Sequence, residues 1–238
     1  MHWHRIAAIL GSVACLSGAA AADWAYAQPG QPRSDINSVF LDPEFDVWVA
    51  RFERHGREVY DRRHDIVAAT GVKAGMVVAD IGAGTGLFTR LFATRVGASG
   101  KVYAVDISAP FVHNITRISR AQGQTNVTGV VNSQTEVGLA PQSLDLAFIC
   151  DTYHHFEYPA AMMQSIRATL KPGGSVVVVD FRRIPGFSSS WVMGHVRADE
   201  AAVIGEIEAS GFRLVERRDF LRTNYFLRFV PVEGGSVR

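Results

Sequence analysis

The chain has 238 residues, 47% apolar and 20% charged, which suits one α/β domain with a short extra segment and a core that stands without disulfides or structural metal. Its 24 basic residues are balanced by 23 acidic ones, so there is no electrostatic case for a nucleic-acid partner, and Arg182-Arg183 and Arg217-Arg218 read as solvated surface. Cys15 lies in a segment expected to be removed and leaves Cys150 alone, which excludes an intrachain disulfide and a multi-cysteine zinc site.

Residues 1–27 have the pattern of a secretory signal. A weakly positive start (His2, His4, Arg5) leads into an apolar, small-residue run, and Ala25-Tyr26-Ala27 offers the small-x-small cleavage pattern. Cleavage after Ala27 implies a periplasmic or secreted protein without stable membrane insertion. The alternatives are an N-terminal anchor, or a cytoplasmic protein with a misassigned start. Residues 28–41 read as a linker, opening on Gln28-Pro29-Gly30-Gln31-Pro32. Residues 42–75 form a helical segment, with Phe45, Val49, Phe52, Val59 and Ile66 at helical spacing and charge between them.

The period changes at residue 76, where a domain running to 238 begins. A continuous apolar run at 76–81 marks a strand buried on both faces. Helices are predicted over 85–96, 110–122, 158–170 and 198–210, and strands over 102–105, 126–131, 144–150, 175–181, 213–219 and 225–230. Lys171-Pro172-Gly173-Gly174 reads as a turn. Strands alternating with helices imply right-handed crossovers and a doubly wound, Rossmann-like parallel sheet.

The first strand runs into Asp80-Ile81-Gly82-Ala83-Gly84-Thr85-Gly86, a loop whose glycines let a ligand approach the backbone and whose following helix points amides at it. The glycines alternate, unlike the wider spacing of a dinucleotide fingerprint, which disfavours a nucleotide-cofactor oxidoreductase. Asp106 ends the second strand, where an acid binds ribose hydroxyls in Rossmann-like domains.

These two motifs, with Ser143-Leu144-Asp145 to Cys150-Asp151, Tyr153-His154-His155-Phe156 and Leu170-Lys171-Pro172-Gly173-Gly174, resemble the successive motifs of class I S-adenosylmethionine-dependent methyltransferases. The resemblance spans residues 59–229 and leans towards the ubiquinone/menaquinone group. It implies seven strands in the order 3-2-1-4-5-7-6 with the seventh antiparallel. It implies S-adenosyl-L-methionine as cofactor, held by Asp80, Gly82, Ala83, Gly84, Gly86 and Asp106, with Ile107 on adenine and Asp151 at the methionine end. The acid usual after the third strand is replaced by Asn132-Ser133-Gln134, so Ser133 is the candidate there.

Methyl transfer needs alignment above all, and a base only where the nucleophile must lose a proton. Asp151, His154 and His155 are the catalytic candidates, the alternative being that at least one histidine packs or caps the next helix. Tyr60 either touches the cofactor or belongs to a solvated amphipathic helix. Tyr153, Arg183, His195 and Arg197 are the substrate candidates, the arginines being open to a salt-bridge reading. Asp151, His154, His155 and His195 are of the right types for zinc or iron, but without spacing they do not define a site, and no metal is expected. The reading is a small-molecule methyltransferase, with an exported binding protein of the same fold as the alternative and the oligomeric state open.

Overall fold

The structure, a computed structural model, describes residues 36–232. The expected signal at 1–27 and most of the expected linker lie outside the described residues. The N-terminal segment is helical but broken into α1 (Ser38–Leu41), α2 (Phe45–Phe52), α3 (Glu58–Asp61) and α4 (Arg63–Ala69). α1 thus occupies part of the stretch expected as linker. The breaks have local causes: Asp42 precedes a proline and leaves helical geometry, and Gly56 takes φ +87°.

β1 (Val77–Ile81), α5 (Leu87–Val96), β2 (Lys101–Asp106), α6 (Ala109–Ala121), β3 (Val127–Val131) and β4 (Leu144–Cys150) follow. Then come α7 (Pro159–Thr169), β5 (Leu170–Phe181), α8 (Ser190–His195), α9 (Glu200–Ala209), β6 (Phe212–Arg218) and β7 (Asn224–Pro231). They build a seven-stranded sheet in the order β3-β2-β1-β4-β5-β7-β6. Pairing is parallel from β3 to β5, while β7 runs antiparallel to both β5 and β6. This is the topology the resemblance implied.

Side chains alternate across the sheet. Val78, Leu146, Phe148, Val177 and Val179 pack with α4 and α5, and Phe148 meets Phe88 and Phe92 at ring centroids 4.9 and 5.0 Å away. Ala79, Ile81, Ala147, Ile149, Val176 and Val178 face the other way, onto α7 and α9. Both faces of the central strands are buried, which is why β1, β4 and β5 read as largely apolar runs.

Three boundaries differ from expectation. β5 starts at Leu170, because Leu170 already pairs with Leu144 before the chain bulges and re-pairs at Ser175 with Leu146, so the expected turn lies inside the strand. α9 starts after Asp199, whose carboxylate caps it by accepting from the Ala202 amide at 2.9 Å. α8 was not predicted, and is capped by Ser189 accepting from the Val192 amide. No described helix is long and apolar enough to cross a membrane.

Candidate active site

A cavity of about 990 Å³ opens at the C-terminal ends of β1, β2 and β4, where open α/β sheets place their ligands, and α1 to α3 contribute its roof. Its floor is the glycine loop. The amides of Gly82 and Ala83 donate to the Val105 carbonyl at 2.8 and 3.0 Å, tying the loop to β2. Gly82 sits at φ +71°, and a Cβ there would collide with the Thr152 side chain. Gly84 is also left-handed, at φ +54°, and its amide donates to Asp106 Oδ2 at 2.8 Å.

Asp106 also accepts from the Ser108 amide at 2.8 Å through Oδ1. Each carboxylate oxygen therefore keeps acceptor capacity on the cavity side. Burial pushes its pKa up to about 6, against the pull of the two amides. Asp80 is buried and accepts from the Thr89 hydroxyl at 2.6 Å. Burial pushes it up to about 7, with the Asp106 charge adding to the rise. Ala83 and Ile107 line the cavity, as does Ser133, whose hydroxyl accepts from the Thr135 and Glu136 amides and shapes its own turn. A cofactor with a ribose diol needs close backbone approach and a carboxylate, and the loop and Asp106 fit that need.

Asp151 lies across the cavity just beyond β4, in the left-handed region at φ 48°. Arg57 reaches its Oδ2 at 2.7 Å and the Asn224 amide donates to its Oδ1 at 2.6 Å. Burial still holds its pKa above the usual carboxylate range despite the Arg57 charge, and Asp180 adds to the rise. A 3₁₀ turn, Tyr153–His155, follows. It sends His154 and His155 into the cavity, where α8 brings His195 to meet them. His154 is buried, with Nδ1 2.8 Å from Asp180 Oδ1, while the Nε2 nitrogens of His155 and His195 stand 3.3 Å apart.

Five predicted residues do not line the cavity. Gly86 is the left-handed cap of α5, at φ +78°, and packs against Ile115 instead. Tyr153 is fully buried in the core, its hydroxyl donating to Glu206 at 3.0 Å, because the tight turn points it opposite to His154. Arg197 makes a bidentate pair with Glu206 at 2.6 and 2.7 Å, the salt-bridge reading. Arg183 donates to the Met193 carbonyl and braces α8 from behind. Tyr60 turns away, under the Arg63 guanidinium at 4.3 Å and beside His55. Sequence reasoning missed Arg57, Asn224 and Asp180. Their partners lie far off in the chain, so spacing carried no signal for them.

Residues 78–174 match the family described as "Methyltransferase domain". The ubiquinone/menaquinone biosynthesis C-methyltransferase UbiE of Hydrogenovibrio crunogenus is 29% identical over 124 residues, covering 52% of this chain and 48% of its own. The phosphoethanolamine N-methyltransferase 1 of Triticum aestivum is 28% identical over 202 residues, covering 79% of this chain and 39% of its own. The chain thus spans about half the length, or less, of these curated relatives. In structure it is similar to a SAM dependent methyltransferase from Aquifex aeolicus, at 22% identity and a TM-score of 0.70, over 77% of this chain and 97% of that one. S-adenosylmethionine, the cofactor expected from the motifs, is the one these matches support. Residues 78–174 thus match a methyltransferase domain in sequence, and the chain shares the fold of the solved methyltransferase, with the seven-stranded order expected from the motifs.

Proposed function

We propose that this protein is an S-adenosylmethionine-dependent methyltransferase acting on a small molecule in an exported compartment. The observation that carries the reading is the clamp of Asp106 on the Gly84 amide, which fixes a carboxylate and an open glycine loop at one floor of one large cavity. The cofactor, when bound, supplies an activated methyl group. Everything else falls to the chain. Asp106 offers acceptors to ribose hydroxyls, and the loop from Gly82 to Gly84 gives backbone room. Asp80 and Asp151 favour the cationic amino end. Phe40, Trp48 and Phe52, from α1 and α2, cover the cavity with aromatic surface that excludes water. The histidines line the acceptor end.

The likeness to UbiE and to the phosphoethanolamine enzyme supports a small acceptor, and the near-neutral charge agrees with one. Export rests on the signal pattern of residues 1–27, and a mature N-terminus at Gln28 is its expected mark.

Calorimetric titration with S-adenosylmethionine and S-adenosylhomocysteine, with NAD as control, tests the reading. Binding of both adenosyl ligands and none of NAD is expected. Asp106→Ala should weaken that binding by about 1–3 kcal/mol, as for a lost hydrogen bond to a charged group. A folded protein that binds neither adenosyl ligand overturns the proposal. Adenosyl binding without methyl transfer across a broad acceptor screen would point to the binding-protein alternative.

A further inference from the structure

Three imidazoles that the sequence separates converge on one wall of the cavity. His154 and His155 come from the turn after β4, and His195 from the end of α8. One ring nitrogen from each lies within 4.8 Å of the others, which among the described residues makes this the group able to hold a metal ion. We propose that His154, His155 and His195 form a binding site for a divalent transition-metal ion of the zinc or iron(II) type. Asp151, weighed with them from sequence, is taken up by Arg57 and Asn224.

Three features support the site. The first is spacing. A tetrahedral ion with bonds of about 2.0–2.1 Å to nitrogen holds its ligands about 3.3–3.4 Å apart. The Nε2 atoms of His155 and His195 stand at 3.3 Å.

The second is tautomer. His154 Nδ1 lies 2.8 Å from the Asp180 carboxylate, which also accepts from the His154 backbone amide at 3.1 Å. With Nδ1–H donating to that carboxylate, Nε2 is the nitrogen that keeps its lone pair. That Nε2 is buried and has no hydrogen-bond partner among the described residues. A carboxylate behind a histidine is the usual support of a metal ligand, fixing ring and tautomer together.

The third is surroundings. Trp191 stacks on His195 at 4.5 Å, Phe181 lies 5.8 Å from His154, and Phe40 meets His155 edge-on at 5.2 Å. An apolar shell strengthens the attraction between lone pairs and cation. Three protein ligands also leave a position open towards the cavity, as in metal sites that take water or a ligand oxygen.

The competing arrangement is a plain N–H···N hydrogen bond between His155 and His195. Cobalt(II) separates the two, because a tetrahedral nitrogen site gives it visible absorption. Titration of the untagged full chain with cobalt(II) alone should saturate at one equivalent per chain, and zinc should displace it. His195→Gln, on a short helix at the cavity wall, should abolish the saturable band while the thermal unfolding curve stays cooperative. Asp180→Asn keeps the ring but weakens its support, and should raise the cobalt dissociation constant roughly ten- to a hundredfold. Absence of saturable binding overturns the site, as does binding that survives both His195→Gln and His155→Gln. The site stands apart from the cofactor reading. Lost cobalt binding with intact S-adenosylhomocysteine binding refutes only the metal, and the reverse refutes only the cofactor.

Discussion

Asp151 is held in a backbone conformation that costs a non-glycine residue about 1–3 kcal/mol, and strain of that kind persists only where the surroundings fix it. Here Arg57, Asn224 and the Val179 carbonyl, which accepts from the Asp151 amide at 2.8 Å, do so. Asp80 and Asp106 store free energy differently, as buried carboxyls raised to about 7 and about 6. Their folded values lie above that of a free carboxylate, so the folded state keeps protons that the unfolded state releases. Their contribution to stability is full below pH about 4 and is lost as pH rises towards 7, by up to about 1.4 kcal/mol per pH unit for each group. Urea unfolding at pH 5 and pH 8 should show this fall, and Asp80→Asn, which keeps an acceptor for Thr89, should flatten it. An unchanged pH slope in that variant would mean that Asp80 is ionised in both states.

At this scale the legible part of the site was the local part. The glycine loop and Asp106 are set by one strand–loop–helix unit and the strand beside it, so motif and geometry coincide. Tyr153 and His154 are adjacent in sequence and opposite in fate, because a 3₁₀ turn swings consecutive side chains to different sides. No composition rule chooses between them.

Among the elements, α3 has the largest effect for its size. Glu58 accepts from the amides of Arg222, Thr223 and Asn224 at 2.6, 2.7 and 3.0 Å, gripping the start of β7. Asn224 then holds Asp151, and Arg57, one residue before Glu58, holds it too. Burial works against the Glu58 charge, but these amides and the Thr223 hydroxyl outweigh it and lower its pKa. The grip is therefore complete above the ordinary carboxylate range and is lost as pH falls through the lowered value. Glu58→Ala should speed hydrogen exchange at residues 222–224 and weaken S-adenosylhomocysteine binding several-fold at pH 7. Exchange equal to the parent would show that α3 docks by other contacts. The amphipathic spacing of this region revealed helices. It did not reveal that they would break at Asp42 and Gly56 and fold over the cavity, since that depends on surfaces supplied by the sheet.

Across the whole molecule the sheet is the rigid reference. Its central strands β1, β4 and β5 are buried on both faces, and its topology is the one that the family resemblance implied. Phe148 sits at the centre of one face, and Phe148→Ala should cost about 3–5 kcal/mol in urea unfolding, against less than about 0.5 kcal/mol for a surface change such as Glu208→Gln in the same background. Glu208 makes one exposed backbone contact, at 3.2 Å to the Leu214 amide. The family match at 78–174 covers the glycine loop, Asp106, Asp151 and the first two histidines. Arg57, His195, Trp191 and Asn224 fall outside it. The shared sequence thus supplies the glycine loop and Asp106, and part of the facing wall comes from residues outside it.

Neither α1 nor α2 contains a fully buried residue. They close over the cavity with aromatic rings, yet little apolar area anchors them, so they belong to the part of the molecule that opens first. Passage in and out is then governed by how often these helices lift, and dwell time by how firmly an occupant's own surface holds them down.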